Sequence, residues 1–94
     1  MKHATDKSLY EIDELLAVVR SYAELKEKKR GIFYRKSSAF LHFHEDAAGL
    51  FADLRMGDDF QRFAVNTASQ QKRFKTALRN TLAGRIGDLA AQWF

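Results

Sequence analysis

The chain has 94 residues, of which 46% are hydrophobic and 30% charged, so its composition argues against disorder and predicts one small globular domain. It contains no cysteine, which excludes disulfides and thiol chemistry, and it lacks the long apolar run of a membrane span. The formal net charge of +4 makes an anionic partner such as nucleic acid worth testing. Because the N-terminal residues also lack the apolar centre of a signal peptide, we expect a cytoplasmic protein with no membrane association.

The first predicted element is a helix over residues 8–30, preceded by a flexible leader over residues 1–7. Ser8 and Glu11 form an S-x-x-E capping box, and apolar residues then recur at three- and four-residue spacing. Gly31 follows the basic last turn, where a helix C-cap glycine is expected.

Residues 31–65 alternate between apolar and polar side chains with the period of two that is typical of strands. Turns at Ser37-Ser38, at 46–49 and at Gly57-Asp58 divide them into four predicted strands. When neighbouring strands are paired antiparallel around these turns, one face of the sheet becomes apolar. That face carries Leu41, Phe43, Leu54 and Phe63.

A second helix is predicted over residues 66–94, and a T-x-x-Q capping box from Thr67 to Gln70 marks its start. Gly84 and Gly87 predict a break or kink near 84–87. Each helix carries one apolar stripe, so both can cover the apolar sheet face. The expected fold is α+β with two layers: one domain over residues 1–94, in which a four-stranded antiparallel β-meander is flanked by an N-terminal and a C-terminal helix.

The reverse face of this meander should then have no helix over it. In the predicted register it carries Phe33, Arg35, Phe40, His42, His44, Phe51, Asp53, Arg55, Phe60 and Arg62. Four phenylalanines exposed together would form a patch that monomers rarely show. We therefore expect this face to be a binding surface, unless arginine stems lying over the rings cover it within the chain.

Self-association of two copies through this face is the leading hypothesis. Phenylalanine and arginine are enriched at interfaces, and a twofold contact uses one patch twice. Single-stranded nucleic acid is the alternative, because aromatic rings can stack on bases while arginines neutralise phosphate. Asp53 would oppose a phosphate unless Arg62 neutralises it, so the nucleic-acid hypothesis depends on that pair.

A metal site is a further alternative. His42 and His44 point to the same side of one strand, and Asp53 lies opposite His42, which is a possible ligand set for zinc or iron. Arg55 and Arg62 flank these residues, however, and would compete with a cation. The sequence shows no nucleophile in an activating pattern and no phosphate-binding glycine loop, so we expect a binding domain without a cofactor rather than an enzyme.

Overall fold

The computed structural model describes residues 2–4, 9 and 11–84, which form an antiparallel sheet with one helix before its main strands and one after. The helices are α1 (Asp13–Arg20) and α2 (Ala68–Leu82). The strands are β1 (Lys2–His3), β2 (Leu25–Lys29), β3 (Ile32–Arg35), β4 (Ser38–Asp46), β5 (Gly49–Met56) and β6 (Asp59–Ala64). The main path of the sheet runs β2-β3-β4-β5-β6, and the two-residue β1 pairs with β4 beyond the end of β3. The α+β class is confirmed, but the meander has five strands instead of four.

The extra strand comes from the second half of the predicted first helix. The prediction of a helix over 8–30 is wrong from Ser21 onward, because α1 ends at Arg20 and residues 25–29 pair with β3. The Ser21 hydroxyl donates to the Val18 carbonyl oxygen at 2.6 Å, a local bond that competes with helix continuation. Glu27 then accepts hydrogen bonds from Arg20 Nε at 2.7 Å and from the Gly31 backbone N–H at 2.9 Å. Strand pairing and these bonds outweigh the helical propensity of a lysine- and glutamate-rich segment.

The two ends of the chain also differ from the prediction in part. Lys2–His3, within the predicted leader, pairs with β4, and the Ala4 N–H donates to the Phe43 carbonyl oxygen at 3.1 Å. The capping box of α2 is confirmed, since the Gln70 N–H donates to Thr67 Oγ1 at 3.2 Å and Gln70 Oε1 accepts from the Thr67 N–H. Ser8 and the segment from residue 85 onward lie outside the described residues.

Two of the three predicted strand registers are confirmed. Glu45 pairs with Leu50 across β4 and β5, and Ala52 pairs with Phe63 across β5 and β6. The apolar sheet face is therefore the predicted one. It joins the buried side chains of both helices in a single hydrophobic cluster, which includes Leu16 and Val19 of α1 and Phe74 and Leu78 of α2.

The predicted β3–β4 register is wrong, by one residue at Ile32 and Phe33 and by two residues at Tyr34 and Arg35. The turn is Lys36-Ser37, with φ angles of +51° and +69°, rather than Ser37-Ser38. Positive φ at both turn residues gives the twist that two-residue hairpins favour. Phe33 pairs with Leu41 while Tyr34 pairs with Ala39, so Phe40 is the extra residue of a bulge. The bulge allows Phe33 and Phe40 to be buried together, which stabilises the fold by roughly 1.5–3 kcal/mol for each ring.

Candidate binding face

The face of the sheet that points away from the hydrophobic cluster is called the outer face here. Side chains alternate along each strand, and the cross-strand pairs show which residues share a face. The outer face consists of Lys26, Lys28, Lys29, Ile32, Tyr34, His42, His44, Asp46, Phe51, Asp53, Arg55, Phe60, Arg62 and Ala64.

Three residues predicted for this face lie on the helix side of the sheet instead. Phe33 is 1% and Phe40 4% exposed, and both belong to the hydrophobic core. Arg35 Nη2 lies 3.4 Å from the Leu82 carbonyl oxygen, which it donates to, and 3.3 Å from Glu24 Oε2. Phe33 lies on the helix side because β3 is shifted by one residue against β4, and Arg35, two residues further along β3, shares its side. Phe40 lies there because it is the extra residue of the bulge in β4.

The same register brings in five residues that sequence reasoning missed: Lys26, Lys28, Lys29, Ile32 and Tyr34. The three lysines belong to the segment that was assigned to a helix. The available signal was the Arg30-Gly31 pair, which stands between this segment and β3 and forms a hairpin turn with Gly31 at φ +81°. The sequence alone does not distinguish this turn from a helix C-cap, because a charged strand has no apolar alternation to reveal it.

A salt-bridged network lies at the centre of β4, β5 and β6. Arg62 donates to both oxygens of Asp53, from Nε at 2.7 Å and from Nη2 at 2.9 Å, in the bidentate geometry of a strong ion pair. His44 Nε2 lies 3.0 Å from Asp53 Oδ2. His42 is the direct cross-strand neighbour of Asp53, as predicted, but it is the diagonal neighbour His44 that contacts the carboxylate.

Arg62 neutralises the negative charge of Asp53 within this network. The Arg62 hydrogen bonds, and then the charge of the nearby His44, hold the pKa of the Asp53 carboxyl below its ordinary value, although burial acts in the opposite direction. The same pair raises the pKa of Arg62. Asp53 therefore stays ionised and paired throughout the neutral range.

Replacing Asp53 with asparagine should flatten the acid side of the stability profile. In the unfolded chain an aspartate titrates at about pH 3.9, and in the folded chain this pKa is lower. The ionised carboxylate thus contributes stability above about pH 4, and that contribution is lost as the pH falls through the folded-state value. Urea unfolding between about pH 2 and pH 6 measures this slope. Asp58→Asn, in an exposed turn, is the control; an Asp53→Asn profile parallel to the parent would contradict the expectation.

The aromatic rings of the outer face lie beside cations. Phe60 is 39% exposed, and its ring lies 5.2 Å from that of His42 and 5.0 Å from the guanidinium carbon of Arg55. Lys28 Nζ lies 4.7 Å from the centre of the Tyr34 ring. These distances are in the range of cation–π interactions. Arg55 forms no ion pair with a carboxylate among the described residues.

Positive charge predominates across the outer face. Five lysine and arginine side chains, on β2, β5 and β6, share the face with two carboxylates, Asp53 and the exposed Asp46 at the end of β4. Asp53 is paired with Arg62, and the charge of Asp46 also acts on Arg62. The described part of this face therefore presents an excess of cations, the exposed ring of Phe60 and several half-buried rings to an incoming molecule.

The predicted metal ligands do not assemble as a site. The rings of His42 and His44 lie edge to face with centroids 5.8 Å apart, and Arg62 occupies both oxygens of Asp53. Within residues 2–4, 9 and 11–84 no group of three or more histidine, aspartate or glutamate side chains is placed to hold a metal ion.

Comparisons with known proteins do not indicate a function for this chain. No model of a protein family, no curated protein and no solved structure matches the chain. In the described residues, neither helix has the length and apolar character needed to cross a membrane.

Proposed function

We propose that the protein is a non-enzymatic domain that binds single-stranded nucleic acid across its outer face. The observation that carries this proposal is the combination of aromatic rings, of which Phe60 is exposed and the others are half-buried, with an excess of cations on one sheet face. Single-strand binders combine the same two elements, since rings stack on bases of any sequence while lysine and arginine neutralise phosphates. The bidentate pairing of Asp53 with Arg62 neutralises the carboxylate at the centre of the face, and the exposed Asp46 lies at its edge, at the end of β4.

The spacing of the rings suits a strand that crosses the sheet. Tyr34 on β3 and Phe60 on β6 are three strands apart, which corresponds to about 14 Å. His42 lies between them on β4, the lysines of β2 stand at one side of the sheet, and Arg55 of β5 lies beside Phe60 towards the other. A bound strand would thus meet rings along its path, with cations near each end of it.

Self-association through the same face is the second candidate. The exposed ring of Phe60 is the apolar group that a second copy would cover. This candidate ranks lower than the sequence suggested, because two of the four phenylalanines that motivated it lie in the core. Two copies face to face would also oppose the excess cations of one copy with those of the other, and like charges across an interface cost several kcal/mol.

Fluorescence anisotropy of a labelled single-stranded oligonucleotide, measured over a series of salt concentrations, tests the proposal. Lys26→Ala/Lys28→Ala should make the slope of log affinity against log salt shallower by about 1.4, since each single-strand phosphate contact contributes about 0.7. The control, Lys72→Ala/Lys75→Ala, removes two exposed lysines from α2 on the other side of the sheet and should leave the slope unchanged.

A separate variant tests whether a base stacks on the ring of Phe60. Phe60→Ala should weaken binding by about 1–3 kcal/mol if a base stacks on this ring. Unchanged anisotropy of the parent protein at low salt would refute nucleic-acid binding. An equal loss in both lysine variants would mean unspecific attraction to a cationic protein, and a dimer in sedimentation that Phe60→Ala dissociates would establish self-association instead.

A further inference from the structure

We infer that the groove between β6 and α2 binds an extended acidic peptide segment, which adds to the edge of the sheet as one more strand beside β6. This surface is separate from the outer face. It is formed by the helix side of β6 and by a flank of α2 that the hydrophobic core does not use.

The backbone edge of β6 is open in the described part of the chain. β6 pairs with β5 alone, and it is the last strand of the sheet path. The bond from the Val65 N–H to the Leu50 carbonyl oxygen sets the alternation of inward and outward groups along β6. In this alternation the N–H and C=O groups of Phe60, Arg62 and Ala64 point away from β5, where an added strand would pair with them.

A groove of about 600 Å³ runs beside this edge. Its floor is formed by Met56, Gln61 and Phe63. Its wall is a stripe of α2 with helical spacing, consisting of Ser69, Lys72, Arg73, Thr76, Ala77 and Asn80. Phe74 and Leu78 lie on the neighbouring stripe and fasten the helix to the sheet, so the wall is held in place by the core.

The dimensions and lining of the groove select apolar side chains at alternate positions of the peptide. Side chains of an added strand would point in turn to the helix side and to the outer face. Those on the helix side would enter the groove and cover Met56, Phe63 and Ala77. Edge-strand addition of this kind takes its affinity from backbone hydrogen bonds and its specificity from pockets for every second side chain.

The positive charge of α2 favours an acidic peptide. α2 carries Lys72, Arg73, Lys75 and Arg79 and has no acidic residue in its sequence. Lys72 and Arg73 stand at the wall of the groove, where they would meet aspartate or glutamate beside the apolar residues of the peptide. A second copy paired through β6 would bring two such basic helices together, and this repulsion disfavours it as the occupant.

Selection from a random dodecapeptide display library against the full chain is the first test. The selected peptides should be enriched in aspartate or glutamate and should carry apolar residues two positions apart. With one selected peptide as the probe, Lys72→Glu/Arg73→Glu should weaken binding at least tenfold. Lys26→Ala/Lys28→Ala, which changes the outer face, should leave the affinity within about twofold and serves as the control.

Two changes that remove backbone N–H groups, one in the peptide and one in β6, test whether the peptide adds as a strand. The same peptide with N-methyl groups on the residues that pair with β6 should lose at least tenfold in affinity. Ala64→Pro removes an outward N–H without removing a bond to β5, so it should weaken binding while the thermal transition remains cooperative. Amide NMR signals of Phe60, Arg62 and Ala64 should shift most when peptide is added.

Three results would overturn the inference. They are the selection of no peptide that binds more tightly than 1 mM, full affinity of the N-methylated peptide, and a dimer in sedimentation that Ala64→Pro dissociates. The last result would identify a second copy of the chain as the occupant of the β6 edge.

Discussion

Replacing Phe74 with alanine should lower the free energy of unfolding by about 3–5 kcal/mol. The Phe74 side chain is fully buried, and its ring lies edge to face on Phe43 and on Phe63, with both centroid distances at 5.9 Å. It is the main ring contact between α2 and the sheet. Small domains have about 5–15 kcal/mol of total stability, so this single cavity should shift the urea midpoint by a large fraction of its value.

The control for Phe74→Ala is the same substitution on the other side of the sheet. Phe60 is 39% exposed and contacts His42 and Arg55, not the core. Phe60→Ala should therefore cost less than about 1 kcal/mol, as surface substitutions commonly do. Equal losses of stability in the two variants would contradict the assignment of core and outer faces, on which the proposed function depends.

Replacing Gly49 with alanine should cost about 2–4 kcal/mol. Gly49 has φ +125°, where other residues are strained, and a Cβ there would lie 2.5 Å from Asn66 Oδ1. Asn66 cannot move away without loss, because its Oδ1 accepts from the Leu50 N–H at 2.8 Å and its Nδ2 donates to the Leu50 carbonyl oxygen at 3.1 Å. These two bonds connect the start of β5 to the segment that leads into α2.

Gly57→Ala separates backbone strain from the contact with Asn66. Gly57 has φ +74°, but a Cβ there would have no atom within 4 Å, so only the strain of about 1 kcal/mol should appear. When Gly49→Ala is combined with Asn66→Ala, the cost should be less than the sum of the two single costs, because the clash is then already removed. Urea unfolding measures the stability of all four variants. Equal losses for Gly49→Ala and Gly57→Ala would show that the contact with Asn66 contributes nothing to the cost.

The core side of the sheet could be predicted because burial imposes a pattern on it. In β4 and β5 the residues at every second position, Leu41 and Phe43 and then Leu50, Ala52 and Leu54, are apolar, and turn residues separate the strands. A slip by one residue would place Leu54 on the opposite side from Leu41 and Phe43, and the short turn at 46–49 limits larger shifts, so the sequence predicted the pairing of these strands. The capping box of α2 was predictable for a similar reason, since Thr67 and Gln70 satisfy each other locally.

The composition of the candidate site could be predicted only in part. Seven of the ten predicted residues, those from His42 onward, lie on the outer face, and three do not. The three errors and the missed lysines come from one region, 21–40. In this region the local sequence is compatible with more than one structure. This holds for the apolar stripe that continues past Arg20, for the lysine-rich segment 25–29 and for the turn at Lys36-Ser37.

The sequence alone determined the α+β class, the central pairing of β4, β5 and β6, and the presence of imidazole, Asp53 and arginine on one sheet face, because alternation and capping are local signals. Only the tertiary structure decided that residues 25–29 form a strand and that Phe33 and Phe40 enter the core. Those outcomes depend on pairing and burial between residues distant in the chain. For a segment such as Leu25–Lys29, these interactions are stronger than the preference of the residues themselves.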